Sequence, residues 1–299
     1  MPWLQLTLEA NHSNSEQLSE LLSQAGAAAV TMQDALDDPI FEPPPGSTPL
    51  WKQLLLTGLF EADADINSVL RFIESNFGEL PAHTLNPLED KDWARAWMDD
   101  FKPMQFGERV WICPSWHTPP HPDAVNIMLD PGLAFGTGTH PTTSLCLNWL
   151  DEHFHTPVDV IDYGCGSGIL GIAANLLGSE HVYAVDLDPQ ALLATQANAE
   201  KNHVLDKIET FSVPQFRKKC QSLQCPLLMA NILAGPLIEM AEMLASHVAP
   251  KGNIVLSGIL AEQADNVSKA YQQWFTIDDI SQEGDWIRIT GTKIDIKAA

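Results

Sequence analysis

The sequence predicts a small α+β unit followed by a larger α/β unit that is built on a doubly wound parallel sheet. In the first 88 residues, half-buried strands and two amphipathic helices follow one another in the order βαββαβ. From Met104 onward, apolar strands alternate with helices, which is the pattern of a parallel sheet with helices on both faces. A chain of 299 residues has room for both units.

The first unit, residues 1–88, is predicted to be a ferredoxin-like sandwich, because that fold has the element order βαββαβ. Gly26 and Gly78 follow its two predicted helices, and a glycine in this position commonly ends a helix. The unit contains 12 acidic residues but only two basic ones, Lys52 and Arg71. Its strands are expected at residues 3–9, 27–33, 51–61 and 82–88, and its helices at residues 13–25 and 65–77.

A connector, residues 89–103, is predicted to be helical and to end at Pro103. Trp93, Trp97 and Phe101 recur every four residues, so they would form one apolar stripe on this helix. Two interpretations of the stripe are open. It packs on a neighbouring domain in the first, and it belongs to a hinge that holds two domains apart in the second.

The second unit, residues 104–299, is predicted to contain a Rossmann-like, seven-stranded methyltransferase sheet. Its final two strands form an antiparallel hairpin, which is unusual in dinucleotide-binding folds and distinguishes methyltransferase sheets from them. A lead-in hairpin and a helix are expected before the sheet, at residues 109–113, 125–129 and 141–154. The seven strands are expected at residues 158–162, 181–186, 207–212, 227–232, 253–257, 275–280 and 286–293.

The composition indicates which partners and which kinds of site this protein is expected to have. A net charge of −23 repels phosphate backbones, so no direct nucleic-acid partner is expected, whereas a basic protein would be attracted. Solubility alone is an equally good reason for the charge. The five cysteines lack metal-ligand spacing, and no secretory signal or membrane-spanning run is present. We therefore expect a cytoplasmic protein with no metal, disulfide or membrane partner.

A glycine-rich turn is the strongest motif. Residues 160–168 read Val-Ile-Asp-Tyr-Gly-Cys-Gly-Ser-Gly, an apolar strand that runs into a sharp bend. Asp186 ends the next strand, about 20 residues on, where doubly wound folds place a carboxylate that binds a ribose. Asp188 precedes Pro189 and is interpreted as a helix N-cap. Three glycines let a ligand lie against the backbone of the turn: Gly164, Gly166 and Gly168.

The choice of cofactor depends on Asp162. Gly166, Gly168 and Gly171 also satisfy the Gly-x-Gly-x-x-Gly fingerprint of dinucleotide-binding proteins. A carboxylate beside the turn would repel a pyrophosphate, but it suits the ammonium and sulfonium groups of S-adenosylmethionine. We therefore expect S-adenosylmethionine as the cofactor, with a dinucleotide or a purely structural turn as the alternatives.

Two further constellations are predicted to belong to the site. Residues 130–143 combine three glycines with four threonines; turn chemistry explains the glycines but not Phe135, Thr137 and Thr143 beside a cofactor turn. Asn231, at the end of the fourth strand, can accept a hydrogen bond from an amine while its NH2 group donates to the cofactor. Alternatively, Asn231 serves only the turn into the next helix. His140 is assigned no role.

These motifs resemble the PrmA family, the bacterial methyltransferases of large-subunit ribosomal protein L-eleven. The glycine turn is common to many methyltransferases, whereas the loop of residues 130–143 is more particular to this family. The resemblance covers essentially the whole chain and includes residues 1–3, 89–93, 111–116, 130–143, 230–233 and 288–291.

The resemblance implies a protein N-methyltransferase that modifies lysine ε-amines and the N-terminal α-amine of its ribosomal substrate. It implies that the first unit recognises this protein and that the connector lets it swing the target to the active site. Asn231 is the predicted catalytic residue, because it would orient the amine, and the motifs contain no obvious general base. The implied contacts with S-adenosylmethionine are Thr143, Gly164, Asp186 and Asn231.

Two other functions fit the sequence less well. A nucleic-acid methyltransferase is disfavoured by the acidic charge and by the lack of an Asn-Pro-Pro-aromatic signature at Asn231. A non-enzymatic S-adenosylmethionine sensor is disfavoured by the intact glycine turn, Asp186 and Asn231.

Overall fold

The structure is a computed structural model that describes residues 3–36, 49–88, 101–130, 138 and 140–295. The chain divides into two compact units, Met1–Trp97 and Met98–Ala299. The predicted connector falls mostly outside the described residues, as do Trp93 and Trp97, so its helical stripe stays a prediction. None of the described helices is long and apolar enough to cross a membrane.

The first unit is a four-stranded antiparallel sheet with the strand order β2-β3-β1-β4. This order, with two helices, confirms the ferredoxin-like prediction. Leucines that alternate along β1 and β3 pack against both helices and form the core of the unit. The elements are β1 (Trp3–Asn11), α1 (Ser15–Gln24), β2 (Ala29–Asp34), β3 (Gln53–Glu61), α2 (Ile66–Phe77) and β4 (His83–Leu88).

The second helix of this unit shows how local chemistry sets its ends. Asp65 caps its start, because the carboxylate accepts hydrogen bonds from the Ser68 amide at 3.2 Å and the Ser68 hydroxyl at 2.6 Å. Gly78 ends it in the left-handed conformation, with φ of 98°. Both ends lie within one residue of the predicted positions.

The second unit begins with a separate three-stranded sheet, and here one prediction is wrong. The strands are β5 (Met104–Phe106), β6 (Val110–Cys113) and β7 (Val125–Met128). We predicted β6 and β7 as a hairpin, but they pair in parallel, while β5 pairs with β6 in the antiparallel sense. The proline-containing segment between β6 and β7 is long enough to return the chain to the end where β6 began, which parallel pairing requires.

The seven-stranded sheet has the order β10-β9-β8-β11-β12-β14-β13. Its final two strands form the predicted antiparallel hairpin. Its first five strands are parallel to one another. The strands are β8 (Val160–Tyr163), β9 (Val182–Asp186), β10 (Ile208–Ser212), β11 (Cys225–Asn231), β12 (Val248–Leu260), β13 (Phe275–Glu283) and β14 (Trp286–Lys293).

Helices cover both faces of this sheet and create two apolar cores. Successive residues of β8 point to opposite faces, so that Val160 joins one core and Ile161 joins the other. The helices are α3 (Pro141–His153), α4 (Ile169–Leu176), α5 (Pro189–Lys201), α6 (Val213–Lys219), α7 (Ala234–Glu239), α8 (Ala241–Ser246) and α9 (Ala264–Tyr271), with single 3-10 turns at Leu205–Lys207 and Ala261–Gln263.

Candidate active site at the carboxyl ends of the parallel strands

The strand order reverses at β8, which lies between β9 and β11. Connections from neighbouring strands therefore leave in opposite directions, and a crevice opens at the carboxyl ends of these strands. Asp162, Asp186 and Asn231 all lie at these ends, on β8, β9 and β11. The fold thus brings together three side chains that are far apart in the sequence.

The glycine turn follows β8 directly and requires its glycines. Gly164, Gly166 and Gly168 have φ values of 80°, 55° and 80°, in the left-handed region that other residues rarely adopt. A Cβ on Gly164 would lie 2.3 Å from Cγ2 of Ile232, and one on Gly168 would lie 2.8 Å from Cγ2 of Thr195. A larger residue at Gly164 or Gly168 would therefore be strained in its backbone and would clash with a neighbouring side chain, and glycine avoids both.

Asp186 fastens the glycine turn to the end of β9. Its Oδ2 accepts a hydrogen bond from the Gly166 amide at 2.9 Å, and its Oδ1 accepts one from the Asp188 amide at 2.9 Å. Each carboxylate oxygen has a further lone pair that can accept from a ligand hydroxyl. Asp188 instead accepts from the Gln190 amide at 2.9 Å and caps α5, which confirms its predicted role.

Asp162 is buried beneath the same turn, with 1% of its surface exposed. Its Oδ2 accepts a hydrogen bond from the Gly171 amide at 2.9 Å, while Oδ1 has no partner among the described residues. Burial raises the pKa of this carboxyl to about 7. The negative charge of Asp186 also raises this pKa, whereas the hydrogen bond from the Gly171 amide lowers it, because it favours the charged form. The carboxyl can therefore hold a proton or, once ionised, attract a cation.

Asn231 meets Thr143 across the crevice. Its Nδ2 donates to Oγ1 of Thr143 at 3.4 Å, and its Oδ1 is buried without a partner in the described part of the chain. The next residue, Ile232, packs closely on Gly258, where a Cβ would lie 2.4 Å from the Ile232 carbonyl oxygen. This contact and a φ of 81° restrict position 258 to glycine and fix the backbone beside Asn231.

His140 caps α3. Its Nδ1 accepts from the Thr142 amide at 3.4 Å, and its ring packs edge-on against Trp286 with centroids 4.9 Å apart. Burial lowers the pKa of His140, so the neutral ring, which can accept at the cap, is favoured. The structure therefore gives a structural role to this histidine, to which the sequence analysis assigned none.

The loop of residues 130–143 is described only in part. Phe135 and Thr137, two of the predicted cofactor contacts, lie outside the described residues, so their roles stay predictions. Asp130 anchors the start of the loop, because its carboxylate accepts from the Ser115 amide at 2.6 Å and from Nζ of Lys201 at 2.6 Å.

Two residues that were not predicted from the sequence hold the glycine turn in place by hydrogen bonds from their side chains. Oγ1 of Thr195 donates to the Gly166 carbonyl at 3.0 Å, and Nδ2 of Asn198 donates to the Ser167 carbonyl at 2.8 Å. Both residues project from α5. The sequence shows only that these two polar residues are three positions apart and therefore share one face of a helix.

Two exposed leucines were missed as well, and they flank the carboxylate and the amide. Leu187 follows Asp186 and is 83% exposed, and Leu233 lies two residues after Asn231 and is 51% exposed. The segments that follow β9 and β11 therefore each carry an exposed apolar side chain next to a polar residue of the candidate site.

The chain is similar to known proteins along nearly its whole length. Residues 2–294 match the family described as ribosomal protein L11 methyltransferase (PrmA). Two curated relatives of that name are each 51% identical, one from Marinobacter nauticus, covering 99% of this chain and 100% of the relative, and one from Cellvibrio japonicus, covering 98% and 99%. A crystal structure of a ribosomal protein L11 methylase from Lactobacillus delbrueckii subsp. bulgaricus superposes with a TM-score of 0.60 at 31% identity, over 65% of this chain and 100% of that one.

Proposed function

The chain belongs to the ribosomal protein L11 methyltransferase (PrmA) family, and we propose that it transfers methyl groups from S-adenosylmethionine to amines of that ribosomal protein. The acceptors are lysine ε-amines and the N-terminal α-amine. The proposal rests mainly on one observation. Asp162, Asp186 and Asn231 lie together around a glycine turn at the strand-order reversal of a methyltransferase sheet.

Asp186 binds the ribose of the donor in this proposal. Its two oxygens are held in place by the Gly166 and Asp188 amides, which leaves one lone pair on each for a ribose hydroxyl. Because these amide contacts fix the carboxylate before the donor arrives, little ordering is needed on binding. Gly164, Gly166 and Gly168 let the donor approach the backbone of the turn.

Asp162 supplies negative charge beneath the donor. S-adenosylmethionine carries an ammonium group and a sulfonium group, and either cation favours the ionised carboxyl. Oδ1 of Asp162, which has no partner among the described residues, is the atom proposed for this interaction, whereas Oδ2 is held by the Gly171 amide. Thr143, Phe135 and Thr137 complete the proposed set of cofactor contacts, on the strength of the family resemblance and the sequence.

The chemical step requires an amine lone pair in line with the bond between methyl and sulfur. A lysine ammonium has an unperturbed pKa of about 10.4, so a proton must leave before transfer. Desolvation and the nearby sulfonium both lower the pKa of the bound amine and favour that loss to solvent. Asn231 is the catalytic residue in this scheme, because its amide orients the nitrogen towards the methyl group.

The substrate partner is a basic ribosomal protein, recognised by the first unit without direct contact to nucleic acid. This unit has 12 acidic residues against two basic ones, so it attracts a basic protein and repels phosphate. Ribosomal proteins meet such an enzyme in the cytoplasm, which is the proposed location.

Labelled donor provides the direct test. The protein is incubated with methyl-labelled S-adenosylmethionine and a ribosomal extract, and we expect the label in one protein band, ribosomal protein L11. Asp186→Ala should weaken donor binding by about 1.5–3 kcal/mol, the usual range for hydrogen bonds to a charged group. Asp188→Asn is the matched control, because it removes a charge two positions away and keeps an N-cap residue.

Two results would contradict the proposal. Label that appears in RNA, or in no protein at all, would exclude ribosomal protein methylation. Equal donor affinity of the two variants and the wild type, measured by calorimetry on folded protein, would exclude Asp186 as the ribose partner.

A further inference from the structure

Strands β8 and β11 stop pairing at the point where the crevice begins. Their parallel pairing runs from Val160–Leu227 to Asp162–Met229, and the described residues contain no later pair of these two strands. β8 then enters the glycine turn, whereas β11 stays paired with β12 as far as Asn231. Beyond Met229, contacts other than the strand ladder must therefore set the distance between the glycine turn and the end of β11.

Ile232 spans this gap with its side chain. A Cβ on Gly164 would lie 2.3 Å from Cγ2 of Ile232 and 3.8 Å from its Cβ, so the Cγ2 methyl occupies the space beside the glycine turn. The backbone of Ile232 lies against Gly258, where a Cβ would be 2.4 Å from the Ile232 carbonyl oxygen and 2.7 Å from the carbonyl carbon. Ile232 is therefore packed between two glycines, one in the turn and one in β12.

Both sides of this contact are anchored to the sheet. The Ile232 amide donates to the Ser257 carbonyl at 3.1 Å. Ser257 is fully buried, and its Oγ donates to the Ile287 carbonyl on β14 at 2.9 Å. On the other side, the Gly164 amide donates to the Val185 carbonyl on β9 at 2.7 Å. The Cγ2 methyl of Ile232 therefore lies between two segments that are each held by hydrogen bonds to neighbouring strands.

We propose that Ile232 is a positioning residue, whose Cγ2 methyl sets the width of the crevice between the glycine turn and the end of β11. This inference rests on the proposed methyltransferase function, in which Gly164 contacts the donor and Asn231 orients the amine. The spacing of these two segments then sets the distance between the methyl group and the attacking nitrogen. Transfer is sensitive to this distance, because in-line attack requires the reacting atoms to be about 3–3.5 Å apart.

Two substitutions of Ile232 separate the position of the methyl from the bulk of the side chain. Single-turnover transfer to a lysine peptide is measured at saturating S-adenosylmethionine. Ile232→Val keeps both carbons on Cβ, and its rate constant should lie within about threefold of the wild-type value. Ile232→Leu has one carbon on Cβ, so it either leaves the space beside Gly164 empty or directs two further methyl groups into it. We expect its rate constant to be about tenfold below that of the wild type.

Stability and a second isoleucine provide the controls. Exchange of isoleucine for valine or leucine changes the packing only moderately, so urea unfolding should find similar stabilities for the two Ile232 variants. If packing were the whole role of Ile232, the rates would follow the stabilities, whereas the proposal predicts different rates at similar stability. Ile238→Leu makes the same exchange on α7, where the side chain is 39% exposed, and should leave the rate constant unchanged.

A pair of alanine substitutions tests the contact itself. Gly164→Ala adds a Cβ that collides with Cγ2 of Ile232, so we expect it to weaken donor binding. Ile232→Ala removes this methyl and leaves the remaining side-chain carbon 3.8 Å from the new Cβ. Donor affinity, measured by calorimetry, should therefore be higher in the double variant than in Gly164→Ala alone. It should stay below the wild-type affinity, because alanine at a φ of 80° is still unfavourable.

Three outcomes would overturn the inference: a Leu variant as fast as the wild type, a Val variant as slow as the Leu variant, or a double variant with no higher donor affinity than Gly164→Ala. If Gly164→Ala does not fold, the comparison of Val with Leu decides the question alone. The wild type tests the underlying function separately. If it methylates neither the peptide amine nor intact ribosomal protein L11, then the proposed function fails, whatever the variants do.

Discussion

At the residue scale, we propose that Asp162 determines how donor binding responds to pH. Its pKa is raised to about 7 in the folded protein, from an ordinary value of 3.8. The folded protein therefore binds this proton more tightly than the unfolded chain does. The resulting stabilisation of the fold is fully present below about pH 3.8 and is lost as the pH rises through about 7. A cationic donor binds best to the ionised form, so binding below pH 7 should release a proton.

We predict that the affinity for S-adenosylmethionine rises with pH and levels off above about pH 7. At pH 6, one unit below the pKa, it should be about tenfold weaker than on the plateau. Calorimetry between pH 6 and 8, in two buffers with different ionisation enthalpies, measures both the affinity and the proton release. Asp162→Asn is the control; a pH dependence that survives in this variant would assign the titration to another group.

The residues of the glycine turn and Asp186 could be predicted from the sequence, because a βαβ unit fixes their spacing. The burial of Asp162 could not, since it depends on how α4 packs over β8. Thr195 and Asn198 were missed for a related reason. Their contacts depend on which face of α5 turns towards the glycine turn, and that face is set by the tertiary structure.

At the element scale, the start of α3 contains both the cap at His140 and Thr143, which contacts Asn231. We predict that His140→Ala destabilises the protein by about 1 kcal/mol, the usual effect of losing a cap, whereas His140→Asn keeps the cap and most of the stability. Urea unfolding measures the stability. Single-turnover transfer by His140→Asn should keep the wild-type pH profile, and its loss in a stable protein would identify His140 as a general base.

The three-stranded sheet of β5, β6 and β7 shows that strand positions are easier to predict from the sequence than strand directions. The positions of β6 and β7 followed from their apolar patterns, but their parallel pairing did not. Strand direction depends on where the intervening segment re-enters the sheet, which residue patterns do not encode. The doubly wound, parallel character of the main sheet was easier to predict, because alternation of strands with helices permits few topologies.

At the scale of the whole molecule, we propose that the two units have different tasks. The second unit contains the glycine turn, Asp186 and Asn231, and we propose that it performs the chemistry. The first unit contains no residue of that constellation, but it has the strong acidic excess that suits a basic protein partner. The family resemblance implied this division, which stays a proposal; residues 1–88 carry 12 acidic and two basic residues, in a chain of net charge −23.

Methyl transfer to purified ribosomal protein L11, by the full chain and by a chain that starts at Asp90, tests this account most directly. We predict that the full chain adds methyl groups to lysine ε-amines and to the N-terminal α-amine, as located by mass spectrometry. The shortened chain should bind S-adenosylmethionine with unchanged affinity but leave the ribosomal protein unmodified. Full activity of the shortened chain would contradict the proposed role of the first unit, and failure of the intact chain to modify any amine would contradict the proposed function itself.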